Sequence, residues 1–323
     1  MRKLLKFFLH LSFAILSLNG FAQDRWPSRP IKIIVPVAAG GNVDIVARNL
    51  AKELSKGLGQ PVLVENRPSA ASLVGTQLVA KAAPDGYTLL ATSSTFFSAP
   101  LIMKNVGYDP TRDFAPVSLT CKAPMFLIAS QSAAVKDLAD LVDQAKARPS
   151  GFSVASSGNG STGHIASEVF SNRAGIKLLN IFYKGNAQAI VDIISGQTQL
   201  MFDQISTSMA HVRSGKVKPL AVTSSARSKL FPDVPTISES GYAGYEDVTL
   251  NMLLAPAGTP KDIVQRLHAE LVKAYAQPEM VAQFAERGID LVASPSPEAF
   301  GQLIRSEVER LGKLAKEAGI KAE

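Results

Sequence analysis

From residue 31 onward the chain alternates short apolar runs with segments whose apolar residues recur at helical spacing. This is the pattern of βαβ units around a largely parallel sheet. Ile31-Lys-Ile-Ile-Val35 reads as a first strand closed by Pro36, and Val43, Val46, Leu50, Leu54 and Leu58 mark a helix stopped by Gly57, Gly59 and Pro61. A strand at 61–65, a helix at 73–83 and a strand at 87–91 complete a first α/β set. A second set has strands at 126–129, 152–155, 178–182, 199–202 and 219–223, with helices near 136–147, 164–174, 186–195 and 206–214. A strand at 248–254 follows. Two helices close the chain, each announced by a hydroxyl N-cap and a proline, at Thr259-Pro260 and Ser296-Pro297. The pattern predicts an α/β protein of two lobes whose chain crosses between them more than once. Its ligand crevice should lie where strand C-termini meet helix N-termini.

The N-terminus changes the compartment. Arg2, Lys3 and Lys6 precede the apolar stretch 7–18 and the small residues before Gln23, which is the plan of a secretory signal peptide over residues 1–22 cut after Ala22. The apolar stretch is too short for the ~20 residues a bilayer crossing needs, so a periplasmic protein is expected. Loss of those three cations lowers the formal net charge from +7 to +4, and no run of Lys/Arg interleaved with aromatics marks a nucleic-acid surface. Cys121 is the single cysteine, which excludes an intramolecular disulfide and zinc sites built on paired cysteines. No HExxH or EF-hand loop occurs, so neither metal nor cofactor is expected.

Two loops carry the candidate chemistry. Pro36-Val37-Ala38-Ala39-Gly40-Gly41-Asn42 joins the first strand to the first helix, and its small residues let backbone N–H groups approach a carboxylate or phosphate. A plain glycine-rich turn capped by Asn42 or Asp44 is the alternative. The second loop, Ser156-Ser157-Gly158-Asn159-Gly160-Ser161-Thr162-Gly163-His164, is richer in hydroxyls and amides and suits an anion better. It contains GxGxxG, but the following strand ends without the acid that a dinucleotide ribose needs. It also lacks the first glycine of a nucleophile elbow. A secreted serine hydrolase using Ser161 or Ser157 with His164 remains the rival reading, although at a helix start His164 is better placed to cap or to line a site. His211 and His268 read as surface or packing residues. Thr92, Ser93 and Ser94 end the third strand as a polar wall. Asp203 either faces the crevice or caps the helix that follows it.

The motifs Trp26-Pro-Ser-Arg-Pro-Ile-Lys-Ile-Ile-Val-Pro36, Gly40-Gly41 with Asp44 and Arg48, Val64-Glu-Asn-Arg-Pro68, Ala83-Pro-Asp-Gly-Tyr-Thr88, Ser156-Ser-Gly-Asn-Gly160 with His164, Tyr183-Lys-Gly185, Phe202-Asp203, Pro232-Asp-Val-Pro-Thr236 and Leu254-Ala-Pro-Ala-Gly-Thr-Pro260 run in order along the whole mature chain. In these the chain resembles the Bug/TctC family of periplasmic solute-binding proteins of tripartite tricarboxylate transporters. The resemblance implies a two-lobed Venus-flytrap of the type II periplasmic-binding class, with lobe 1 from 23–123 plus 247–323 and lobe 2 from 124–246. It implies a non-catalytic monomer that binds a small mono- or dicarboxylate, aliphatic or aromatic. One carboxylate would be held by the amides of Val37 to Asn42 and the distal group by Ser156 to Thr162, with Asp203 near the ligand, often through water. The bound solute would pass to transporter membrane subunits, or the protein would serve a sensor instead. The chain departs from the family at Ser69-Ala-Ala-Ser-Leu73, where Gly-Ala-Gly-Gly is common. It departs again at Asn42, where a third glycine is frequent, and at Asn251-Met252, where tryptophan is frequent.

Overall fold

The computed structural model describes residues 26–317, so the expected signal peptide lies outside the described residues. The first set forms as its periodicity requires: β1 (Ile31–Val35), α1 (Asn42–Leu58), β2 (Val62–Asn66), α2 (Leu73–Ala80) and β3 (Thr88–Ser93), with β1 parallel to both β2 and β3. α3 (Thr95–Ile102) follows, and the sequence reading did not foresee it. It carries no charged residue and holds Pro100, and even its Thr95 and Ser98 are buried, so it has no amphipathic stripe to detect. Phe96, Phe97, Ala99 and Ile102 are all buried.

β4 (Phe114–Ser130) runs 17 residues, of which only the stretch near 126–129 reads as strand in the sequence. Pro116 and Pro124 look like breaks, but a shift of register beside Pro116 accommodates the first, a second shift follows at Leu119, and Pro124 falls where the strand changes partners. Up to Pro124 the strand pairs with β9 (Val248–Pro256) and β10 (Asp290–Leu291); from Met125 it pairs with β7 (Leu200–Gln204) and β8 (Val217–Val222). β5 (Ser153–Ser156) and β6 (Leu179–Phe182) extend the second sheet beyond β7, all three parallel. The sheet is therefore mixed rather than largely parallel. The chain leaves the first lobe along β4 and returns along β9, so these neighbours run in opposite directions.

Each sheet is covered on both faces. In the first lobe α1 and α8 (Lys261–Tyr275) pack Leu50, Leu54, Leu267 and Leu271 on one face. On the other, α3 and α10 (Pro297–Glu317) supply Phe96, Phe97, Phe300 and Ile304. In the second, β4 sends Met125, Leu127 and Ala129 toward α4 (Leu138–Ala147) and α5 (Thr162–Ala174), and Phe126 and Ile128 toward α6 (Asn186–Ser195) and α7 (Ile205–Arg213). That alternation is the period-2 rule of a strand buried on both sides. α9 (Pro278–Ala285) adds a third helix to the C-terminal stretch, where the sequence suggested two. Ser296 caps α10 through the Ala299 N–H at 3.1 Å. Thr259 does not cap α8: its hydroxyl donates to the Pro256 carbonyl at 2.8 Å, and Pro260 takes the N-cap position.

Candidate functional site

Asp44 organises the first loop. Buried in the first turn of α1, its Oδ2 accepts the Gly40 N–H at 2.9 Å and Arg48 Nε at 2.9 Å, and its Oδ1 accepts Asn66 Nδ2 at 2.9 Å. Burial alone would raise this carboxyl, but the Arg48, Gly40 and Asn66 hydrogen bonds outweigh it and hold the group below its ordinary value. Asn66, from the Glu-Asn-Arg-Pro motif, also donates to the Val37 carbonyl at 3.1 Å, tying the loop to β2. Ala38, Ala39 and Gly40 stand exposed at the tip, Val37 and Gly41 are half-buried, and Gly41 starts α1 without a side-chain cap. The amide of Gly40 is thus spent on Asp44.

Asn42 serves the scaffold. Its Oδ1 accepts Asn251 Nδ2 at 2.8 Å and stands 3.8 Å from Cys121 Sγ, and its Nδ2 reaches Ser206 Oγ of α7 at 3.4 Å. Two of the positions that depart from the pattern the sequence resembles, 42 and 251, therefore bond to each other. Cys121 is buried, and burial raises its thiol far above the ordinary range.

The second loop closes around its own helix start. Ser161 caps α5 by accepting the His164 N–H at 3.3 Å. His164 Nδ1 accepts the Gly160 N–H at 3.0 Å, and its ring stands edge-on to Phe182 with centroids 4.9 Å apart. Burial pushes the imidazole down to about 4, so it is neutral at pH 7. Among the described contacts the ring bonds neither Ser157 nor Ser161. Ser157, Gly158, Ser161 and Thr162 are half-buried and Asn159 is exposed. Thr162 Oγ1 accepts Gln204 Nε2 at 3.0 Å. Gly163 lies so close to β7 that a Cβ would meet the Phe202 carbonyl at 2.5 Å. Gly160 is buried at φ 73°, where a Cβ would overlap the Ile102 side chain of α3. Ser98, also on α3, donates to the Gly160 carbonyl at 2.8 Å. Ser98, Gln204 and Ser206 are contacts the sequence reading missed, and each has a partner in the other lobe: Gly160, Thr249 and Asn42.

Thr92 and Ser156 end β3 and β5, and each carries a buried hydroxyl with no hydrogen-bond partner. Ser93 Oγ is satisfied locally by Thr95 at 3.2 Å. Asp203, 2% exposed, accepts Thr207 Oγ1 of α7 at 2.6 Å and the Asn186 amide at the start of α6. Burial raises it to about 6 against those donors. These contacts tie Asp203 to side chains of α6 and α7, while Gln204 takes the N-cap position of α7 without a side-chain cap. His268 packs through a 2.8 Å bond to the Ser294 carbonyl.

Comparison with known proteins agrees with this architecture. The family model described as "Tripartite tricarboxylate transporter family receptor" matches residues 46–320. The "UPF0065 protein in tcbD-tcbE intergenic region" of Pseudomonas sp. (strain P51) is 37% identical over 300 residues, covering 93% of this chain and 89% of its own. Among solved structures, "R. palustris Rpa4515 with adipate" superposes with a TM-score of 0.86 at 32% identity, covering 92% of this chain and all of that one. The periplasmic binding protein BugD superposes with a TM-score of 0.84 at 36% identity over 92% of this chain and all of its own.

Proposed function

The chain belongs to the TctC family of tripartite tricarboxylate transporter receptors, and from that premise we propose that it captures a small mono- or dicarboxylate, aliphatic or aromatic, between its lobes for delivery to transporter membrane subunits. The similar Rpa4515 structure was solved with adipate. The observation that carries the reading is the pair of interlobe bonds flanking the cleft. Asn42, at the end of the first loop, reaches Ser206, and Gly160, in the second loop, receives Ser98. Both glycine-rich loops thus stand at the meeting of the lobes, each at the start of a helix whose free N–H groups favour an anion.

In this reading the amides of Val37, Ala38, Ala39, Gly41 and Asn42 hold one carboxylate. Ser156 to Thr162 hold the far end, and the unpaired Thr92 and Ser156 hydroxyls add donors. Gly40 contributes its φ of 86° to the turn while its own amide serves Asp44. His164 and Asp203 act behind this layer, fixing the second loop and the starts of α6 and α7. The lobes divide at 123/124 and 246/247, supported to within one residue by the change of partners along β4 after Pro124. The protein acts as a monomer without catalysis or cofactor, exported and cleaved after Ala22.

The test is thermal denaturation of the mature protein against carboxylates and their matching amides. A carboxylate ligand raises the melting temperature by mass action and its amide does not. Equal shifts with carboxylates and amides would refute anion capture.

A further inference from the structure

Behind the second loop lies a small recess between the lobes, about 20 Å³ and so with room for one water-sized group, bordered by Ser98 of α3, Thr162 of α5, Met125, Thr249, Asp247 and Arg310. Asp247 sits where the chain crosses back to the first lobe, held there by its N–H on the Thr223 carbonyl at 2.9 Å. It is 9% exposed, and its Oδ2 has no hydrogen-bond partner. A buried carboxylate ordinarily gathers donors, because an unpaired one costs several kcal/mol. The obvious donor is turned away. Arg310, on α10, gives its Nη2 to Glu307 at 2.7 Å and its Nε to the same carboxylate at 3.2 Å. Thr162 and Thr249 both accept from Gln204 Nε2, at 3.0 and 3.2 Å. One cation thus serves two carboxylates, and Asp247, which borders the recess, keeps a carboxylate oxygen with no donor.

We propose that this recess is a subsite of the interlobe site that takes a hydrogen-bond-donating group, a hydroxyl or an ammonium, at the far end of a carboxylate ligand, with Asp247 as its acceptor. The inference rests on the carboxylate reading above and narrows it: the preferred ligands are hydroxy- or amino-carboxylates rather than symmetric diacids. The recess is continuous with the second loop through Thr162, and through Ser98, whose hydroxyl donates to the Gly160 carbonyl. A ligand whose carboxylate is held by the loop amides therefore has a polar terminus within the cleft for its other end. A second carboxylate directed there would face Asp247 and Glu307 across low-dielectric surroundings and would be disfavoured. Burial, opposed by Arg310 and reinforced by Glu307, raises Asp247 to about 6, as befits a carboxylate short of donors.

The experiment titrates the mature protein calorimetrically with four six-carbon probes that share one carboxylate and differ at the other end: hexanoate, 6-hydroxyhexanoate, 6-aminohexanoate and adipate. A parallel four-carbon set of butanoate, 4-hydroxybutanoate, 4-aminobutanoate and succinate covers a shorter reach. In at least one set the hydroxyl and ammonium members bind tenfold or more tighter than the methyl-ended member. Asp247→Asn, an isosteric change that keeps an acceptor but removes the charge, cuts the ammonium-to-methyl affinity ratio at least tenfold while changing the hydroxyl-to-methyl ratio less. Asp247→Ala abolishes both preferences. Wild-type protein that binds the methyl-ended member as well as the donor-ended ones, or prefers the diacid, overturns the subsite and leaves carboxylate capture standing. So do ratios untouched by either substitution. Failure of all eight probes overturns the subsite, and carboxylate capture is then decided by the comparison of carboxylates with their amides.

Discussion

Replacing Gly160 by alanine separates lobe closure from folding, because the two costs of the added methyl fall on different states. The first is conformational. Gly160 sits at φ 73°, in the left-handed region where a Cβ costs about 1–2 kcal/mol, and this is borne whether the lobes are open or closed. In a chain of this size it lowers the melting temperature by roughly 2–4 °C per kcal/mol. The second arises only on closure. The new Cβ overlaps the tip of Ile102 and lies 3.1 Å from its Cγ1, and Ile102, 3% exposed, has little room to turn aside. Forcing an extra methyl into such packing costs about 1–3 kcal/mol, which appears as about a 5- to 150-fold loss of ligand affinity. Titrating the tightest carboxylate into wild type, Gly160→Ala, Ile102→Ala and the double variant gives the coupling directly. Trimming Ile102 in the Gly160→Ala background should restore most of the affinity and none of the melting temperature. If Gly160→Ala binds as wild type does, or if the two substitutions lose affinity additively, Gly160 and Ile102 do not meet in the bound state and the reasoning fails.

Two further outcomes follow from the same geometry. Ala71 and Ser72 hold φ values of 48° and 60° at the start of α2, so Ala71→Gly and Ser72→Gly should each stabilise by roughly 0.5–1 kcal/mol, read as a higher urea midpoint at unchanged slope. His164 is a base whose folded-state value is lowered from 6.5 to about 4. The stability it supports is complete above pH 6.5 and is lost as pH falls toward 4, about 3 kcal/mol in all. Asp203 and Asp247, raised to about 6, change in the opposite sense over the same range, so the comparison must be with His164→Asn, whose amide oxygen can still accept the Gly160 N–H. The stability advantage of wild type over His164→Asn should shrink by that amount between pH 7 and pH 4; an advantage independent of pH would contradict a buried neutral imidazole.

Much of the scaffold is legible in the sequence because its signals are local. The 3.6-residue repeat of α1, the serine and histidine at the start of α5 and the serine–proline pair opening α10 need only a few neighbouring residues to be understood. α3 escaped because a helix buried on every side has no polar face to set against an apolar one. Most of β4 escaped because prolines that end a strand in isolation are tolerated beside a shift of register, as at Pro116, or where the strand changes partners, as at Pro124. At the site, the loops are visible as glycine and hydroxyl runs, but what their groups do depends on distant partners. Asn42 is engaged by Asn251, 209 positions away, and Gly160 by Ser98, 62 positions away. Neither pairing leaves a periodic trace. The substitution of Asn251 where the resemblance leads one to expect tryptophan acquires meaning only once Asn42 is seen beside it.

The course of β4 through both sheets sets an order of assembly. Phe114 at its start is paired with Pro256, and β9 is also the strand that borders β3. Until residues 248–256 have emerged, the first sheet ends at β3 with an unpaired edge, and the first half of β4 has no partner there. The second sheet draws all its strands from 125–222 and can pair as soon as that stretch is available. In a chain delivered from its N-terminus, the lobe begun first is therefore finished last. For that interval it presents a bare strand edge, the feature most prone to pairing with another chain.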